Sequence, residues 1–137
     1  MYGISLFFSE EWKINNGVRQ GGVLSGLLFN VYINSLIEKI SSLKQGCKIG
    51  IHSSNIIAYA DDIVLLAPSK KALQMLLEEA VKESHDMDLE FNSNKSKYMV
   101  FRYQASKKSC NCSLEIGNSV LEQVNSFKYL GFILTYN

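Results

Sequence analysis

Two adjacent carboxylates, Asp61 and Asp62, stand at the centre of the apolar run NIIAYADDIVLLAPS, residues 55–69. Withdrawing a carboxylate from water is costly, and two as neighbours also repel each other. A divalent cation relieves both penalties. Magnesium takes oxygen ligands from one or two carboxylates and fills its remaining positions with water and substrate phosphates. A pair of such ions can activate an attacking hydroxyl and neutralise a leaving pyrophosphate, which is the chemistry of nucleotidyl transfer. By itself the dipeptide reads more simply as a solvated acidic turn, since Asp is among the commonest turn residues.

A second segment offers complementary chemistry. GVRQGGVLSGLLFN, residues 17–30, runs from a Gly-rich loop into a helix start, where free backbone N–H groups and the helix dipole favour phosphate. Arg19 and Gln20 lie in that loop, with side chains able to reach an anion and a base or sugar. Many loop-to-helix junctions hold glycine for turning only, so the loop alone is weak support. Residues 95–108, KSKYMVFRYQASKK, hold Lys95, Lys97, Arg102, Lys107 and Lys108 without an acid. They read either as a solvated strand and loop or as a stripe that meets phosphates.

The elements that must position these residues follow from periodicity. YGISLFF and EEWKI suggest an amino-terminal hairpin. Residues 23 to about 43 read as one helix, with Phe29, Ile33, Leu36, Ile37 and Ile40 on one face; its first half is apolar nearly all round and is expected to be sandwiched between other elements. KQGCKIGIHSSN reads as a turn, a short strand and a second turn. NIIAYA and DIVLLA are two strands of a tight hairpin turning near residues 60–62, expected to be buried by two helices so that the aspartates emerge into a cleft. Ser69 can cap a helix over residues 70 to about 88, whose stripe is Leu73, Leu76, Leu77, Ala80, Val81 and Ser84. An Asn-rich turn then leads into a strand around Tyr98 and Val100. A small hairpin follows, turning at Gly117–Asn118, and SFKYLGFILTYN is a last strand with Gly131 inside it. The order predicts an α+β fold, an antiparallel sheet with helices packed on one face.

Bulk properties narrow the class. At 137 residues and 47% hydrophobic the chain reads as a single domain, 1–137, with material for a core, and its net charge of +1 announces no global basic field. Cys47, Cys110 and Cys112 are an odd count, and CNC lacks zinc-knuckle spacing, so reduced thiols are expected. No apolar run reaches eighteen residues and no signal-peptide pattern opens the chain, so the expectation is an intracellular protein without a membrane partner, nucleus or cytoplasm left open.

Four motifs in order, GVRQGGVLSGLLFNVYI, YADD, NSNKSK and FKYLGF, resemble consecutive motifs of the reverse transcriptases of non-LTR (LINE-type) retrotransposons. The resemblance covers essentially the whole chain. It implies part of a polymerase palm, an RNA-directed DNA polymerase that adds deoxynucleotides to a DNA primer on an RNA template with two Mg2+ ions. By that resemblance Asp61 is the main metal ligand and Asp62 its supporting neighbour. Tyr59 would lie near the primer terminus and nucleotide, Gln20 and Gly21 would line the incoming nucleotide, and Arg19 would hold template or nucleotide. Lys95 matches the position that meets the pyrophosphate as a general acid, and Tyr129, Leu130 and Gly131 match the strand that supports the primer.

The chain also departs from the family. The family's first catalytic aspartate lies on an earlier strand, and no residue before Gly17 is Asp. That strand, the upstream fingers and the downstream thumb are expected to be missing, leaving the isolated chain without useful polymerase activity. Gly26 stands where the family usually has Pro, and Gly22 where it often has Cys; a glycine inside a helix costs about 1 kcal/mol relative to Ala. Two readings result: a palm piece of a retroelement enzyme, or a non-catalytic retroelement-derived remnant that folds and binds nucleic acid or a protein partner. A phosphate- or magnesium-binding module unrelated to polymerases would explain only the aspartates and the loop.

Overall fold

In the computed structural model, residues 22–101 and 113–136 are described. The expected amino-terminal hairpin, the loop with Arg19, Gln20 and Gly21, and Arg102, Lys107 and Lys108 of the basic run lie outside them.

The most periodic segment folds as its pattern demands. Ser69, in extended backbone, accepts the Ala72 N–H on its side chain at 3.2 Å and so caps α3, Lys70–Asp86. Leu76, Leu77, Ala80 and Ser84 of its stripe are buried. The buried Ser84 hydroxyl donates to the Val81 carbonyl at 2.8 Å, which removes the penalty of an unpaired polar group.

The preceding apolar stretch forms two helices where its periodicity predicts one. α1 spans Ser25–Tyr32 and α2 spans Asn34–Ser42, separated by Ile33 at φ −82°, ψ 0°. The Ile33 N–H still bonds the Phe29 carbonyl at 2.9 Å, and the Ile37 N–H bonds Ile33 at 3.1 Å, so hydrogen bonding passes through the junction. A change confined to one ψ angle leaves the side-chain spacing intact, which is why the pattern does not show it. Ile33, Leu36 and Ile40 are buried as that pattern requires. The first half is not sandwiched: no residue of α1 is buried, and Leu27 and Val31 are 62% and 68% exposed.

Short strands make up the rest. β1 (Cys47–Ile49) and β2 (His52–Ser54) form an antiparallel hairpin where the sequence suggests one strand. β3 (Ile56–Tyr59) pairs with β4 (Asp62–Leu65). After α3 come β5 (Lys97–Tyr98), the hairpin β6 (Glu115–Ile116) and β7 (Ser119–Val120) turning at Gly117–Asn118 as expected, then β8 (Glu122–Gln123). β5 and β8 pair in parallel. The closing segment is a hairpin, not a single strand: β9 (Ser126–Tyr129) folds back on β10 (Phe132–Thr135) through Leu130 and Gly131, both at positive φ, 47° and 86°.

Helices and mainly antiparallel pairs are therefore present, but no single sheet carries them. Among the described residues the strands form five two-stranded ribbons, one of them parallel. Four of the five are hairpins closed by tight turns, which pair near neighbours at small entropic cost, whereas joining ribbons into a sheet needs distant segments side by side. The core is built of side chains between ribbons and helices. Leu36, Ile40, Leu76 and Ala80 form one buried cluster, with Ile56, Ile63 and Leu65 packed against it. Leu77, Tyr98, Leu114 and Leu121 form a second, and Leu65 at the end of β4 packs against that one too.

Candidate active site

The β3–β4 hairpin decides where the two carboxylates stand. Its register pairs Ile56 with Leu65, Ile57 with Val64, Ala58 with Ile63 and Tyr59 with Asp62, leaving Ala60 and Asp61 as a two-residue turn. Side chains alternate across the pleat. Ile56, Ile63 and Leu65 face inward onto α2 and α3, while Ile57, Tyr59 and Asp62 face outward and are exposed. The two helices pack against these strands on one face only, and the other face is open. Asp62 lies across from Tyr59 on the open face, and Asp61 occupies the turn beside it.

Both carboxylates are exposed, so neither bears the desolvation penalty that their apolar surroundings suggest. Among the described residues no group of three or more His, Cys, Asp or Glu converges, which makes the donor set two carboxylates on consecutive residues. That set suits magnesium, which completes its shell with water and substrate phosphate instead of a full protein cage. It does not suit zinc, which favours nitrogen and sulfur ligands in closed tetrahedra.

The turn carries strain next to the carboxylates. Ala60 has φ 51°, a left-handed conformation without glycine's freedom. Such a residue costs about 1–2 kcal/mol, more than the about 0.4–1 kcal/mol by which a glycine loosens the unfolded chain. Ala60→Gly is therefore expected to raise stability by about 0.5–1 kcal/mol, the difference of those terms. The urea midpoint of the 137-residue chain measures it, and a lower midpoint would contradict the strained turn.

The other expected site residues that are described stand on other elements. Asn92 accepts the N–H groups of Asn94 and Lys95 on its side chain at 3.1 and 3.2 Å, and its carbonyl accepts the Ser96 N–H at 2.9 Å, so the Asn-rich turn forms and fixes the Lys95 backbone. The Lys95 side chain is exposed and forms no ion pair among the described residues. Lys97, from the same basic run, is held by Glu122 at 2.6 Å and ties β5 to β8. Tyr129 ends β9, and Leu130 and Gly131 are the turn of a ribbon that pairs with no other described strand, so the expected supporting strand is a hairpin tip. The Tyr129 hydroxyl is buried without a hydrogen-bond partner among the described residues. Sequence reasoning missed Asn55, which is 2% exposed at the foot of the hairpin. Its only signal was a polar residue directly before an apolar strand, a pattern shared with ordinary turns.

Residues 4–134 match the family described as reverse transcriptase (RNA-dependent DNA polymerase). The chain belongs to the reverse transcriptase family. A Retrovirus-related Pol polyprotein from type-2 retrotransposable element R2DM of Drosophila melanogaster is 33% identical over 134 residues, 93% of this chain and 12% of that protein. A Retrovirus-related Pol polyprotein from type-1 retrotransposable element R2 of Nasonia vitripennis is 27% identical over 124 residues, 85% of this chain and 12% of that protein. This reverse transcriptase sequence is thus of the non-LTR retrotransposon kind, and it spans 12% of the length of the curated relatives it matches. No solved structure matches it.

Proposed function

We propose that the chain supplies the part of a reverse transcriptase palm that presents Asp61 and Asp62 to a metal-bound nucleotide. The observation that carries this reading is the hairpin: one face seated on α2 and α3, and the other holding Asp62 across from Tyr59 with Asp61 in the adjoining turn. Asp61 is the main ligand for Mg2+ and Asp62 its supporting neighbour. Held by Asp61 and Asp62, magnesium would neutralise the nucleotide phosphates and ease deprotonation of an attacking hydroxyl. The outward Tyr59 side chain contributes an aromatic face beside them, suited to the primer terminus or the incoming base.

The remaining roles follow the family pattern. Arg19, Gln20 and Gly21 contact template and nucleotide, Lys95 protonates the departing pyrophosphate, and Tyr129, Leu130 and Gly131 support the primer. Template is RNA, primer is DNA, and the substrate is a deoxynucleoside triphosphate. No Asp precedes Asp61 in the chain, so a further carboxylate ligand would come from another segment, and the 137 residues alone would not polymerise.

Primer extension on an RNA template with magnesium tests this. The chain alone is expected to extend nothing; mixed with a polypeptide carrying the family's upstream Asp-bearing strand and fingers, it is expected to add nucleotides. Failure of every such mixture, with binding of primer–template retained, would favour the folded, non-catalytic remnant instead.

A further inference from the structure

Asn55 sits between β2 and β3 and joins three pieces of chain. Its side-chain amide donates one bond to the Ile40 carbonyl at 2.7 Å and another to the Leu43 carbonyl. Its side-chain oxygen accepts from the Ser53 hydroxyl at 3.2 Å, and its backbone carbonyl accepts the Leu66 N–H at 2.8 Å, one step below the Ile56–Leu65 pair. Both amide hydrogens are thus spent on carbonyls at the end of α2, of which the Ile40 carbonyl also accepts the Leu43 N–H at 3.1 Å. Gly46 closes the arrangement from the other side. A Cβ there would stand 1.7 Å from the Asn55 side-chain oxygen and 2.7 Å from the Ser54 carbonyl, so no other residue fits against the amide.

Apolar packing and directional bonds do different things for this hairpin. Ile56, Ile63 and Leu65 on their helices decide which face points inward, but contact of that kind is non-directional and tolerates sliding. Two N–H···O bonds to fixed carbonyls do not tolerate it. Asp61 and Asp62 lie four strand residues up the ladder, about 13 Å from this root at 3.3 Å per residue. A tilt or slip at Asn55 is carried to the carboxylates.

We propose that Asn55 is a positioning residue for Asp61 and Asp62: its amide bolts the foot of the β3–β4 hairpin to the end of α2 and so fixes where the two carboxylates stand. The proposal rests on reading that hairpin as the metal-binding element. It names a residue outside the family motifs, set apart from the chemistry by the length of a strand.

Asn55→Asp is the isosteric test, because at neutral pH it keeps the shape and replaces the NH2 group that donates both bonds with one charged oxygen facing two carbonyls. Residual dipolar couplings of the Ala60, Asp61 and Asp62 N–H groups in the 137-residue chain, referenced to α2, are expected to change while those of α3 stay. Protection of the Leu66 amide against hydrogen exchange is expected to fall about tenfold, the scale of leaving one buried bond unmade. At acidic pH the introduced carboxyl gains a proton, can again donate one bond, and is expected to restore part of that protection. Unchanged couplings at residues 60–62 would overturn the proposal even if stability fell, since Asn55 would then hold structure only. If the variant does not fold, the wild-type chain still decides: the Asn55 side-chain N–H2 protons must exchange slowly, and exchange as fast as a free amide overturns the bolt. Broadening of the Asp61 and Asp62 signals by Mn2+ alone is the separate readout for the metal reading. Its absence in the wild type would sink that reading while the couplings still judge Asn55.

Discussion

Asp61→Asn is expected to abolish primer extension by the complemented chain, a loss on the order of a thousandfold, the scale reached when one preorganised electrostatic group is removed from a transition state. The substitution is nearly isosteric and its effect on the fold should be small. Asp61 is exposed, lies in a turn and makes no hydrogen bond or ion pair among the described residues. Asn is also a favoured turn residue. What changes is the ligand: an amide oxygen carries no net charge and holds a hard cation poorly next to a carboxylate. Single-nucleotide addition at saturating primer–template, read against magnesium concentration, makes the measurement. Asp62→Asn is expected to give the smaller loss, as befits a supporting neighbour. If Asp61→Asn keeps addition within about tenfold of wild type at the same magnesium dependence, a deficit of under 1.4 kcal/mol, Asp61 is not the main ligand.

Leu76→Ala is expected to be the most damaging change to the fold. Leu76 is fully buried at the contact of α2, α3 and the inner face of the hairpin. Emptying such a position costs about 2–5 kcal/mol, from the lost transfer of apolar atoms and the cavity left behind. Against a total stability of about 5–15 kcal/mol for an ordinary domain, that fraction is large. Urea unfolding followed by circular dichroism should show the midpoint falling steeply. Broadening of the Asp61 and Asp62 signals by Mn2+ should weaken with it, because the hairpin loses its seat. Leu27→Ser on α1, where the side chain is 62% exposed, is the control and should change stability by no more than about 0.5 kcal/mol. Equal damage from both substitutions would show that α1 is covered in solution and that the seat of the hairpin has been misplaced.

The contrast between these leucines shows how far the sequence can be read. α3 is legible because an amphipathic stripe and a serine cap agree, and each is local. The β3–β4 turn was legible for the same reason: two apolar strands and one polar break leave few other arrangements. Leu27 lies in a helix that is apolar nearly all round and Leu76 in an amphipathic one, yet the first is open and the second is sealed. Hydropathy measures the cost of exposure; it does not say which partner removes it.

The errors share a cause. A single helix over residues 23–43, a strand through Gly131 and one common sheet are what a local pattern gives when it is extended until something stops it. Ile33, Leu130 and Gly131 are places where one or two backbone angles change direction without disturbing composition, and the separate ribbons reflect pairings that periodicity does not encode.

The sequence by itself determined the family, the order of the motifs and the adjacency of two carboxylates at positions 61 and 62, because these depend on residue type and spacing alone. Only the tertiary structure decided that one face of the hairpin is seated and the other open, that Tyr59 and Asp62 share the open face, and that an amide at position 55 ties the hairpin to α2. Those are relations between segments distant along the chain, and they are fixed by burial and hydrogen-bond direction in three dimensions.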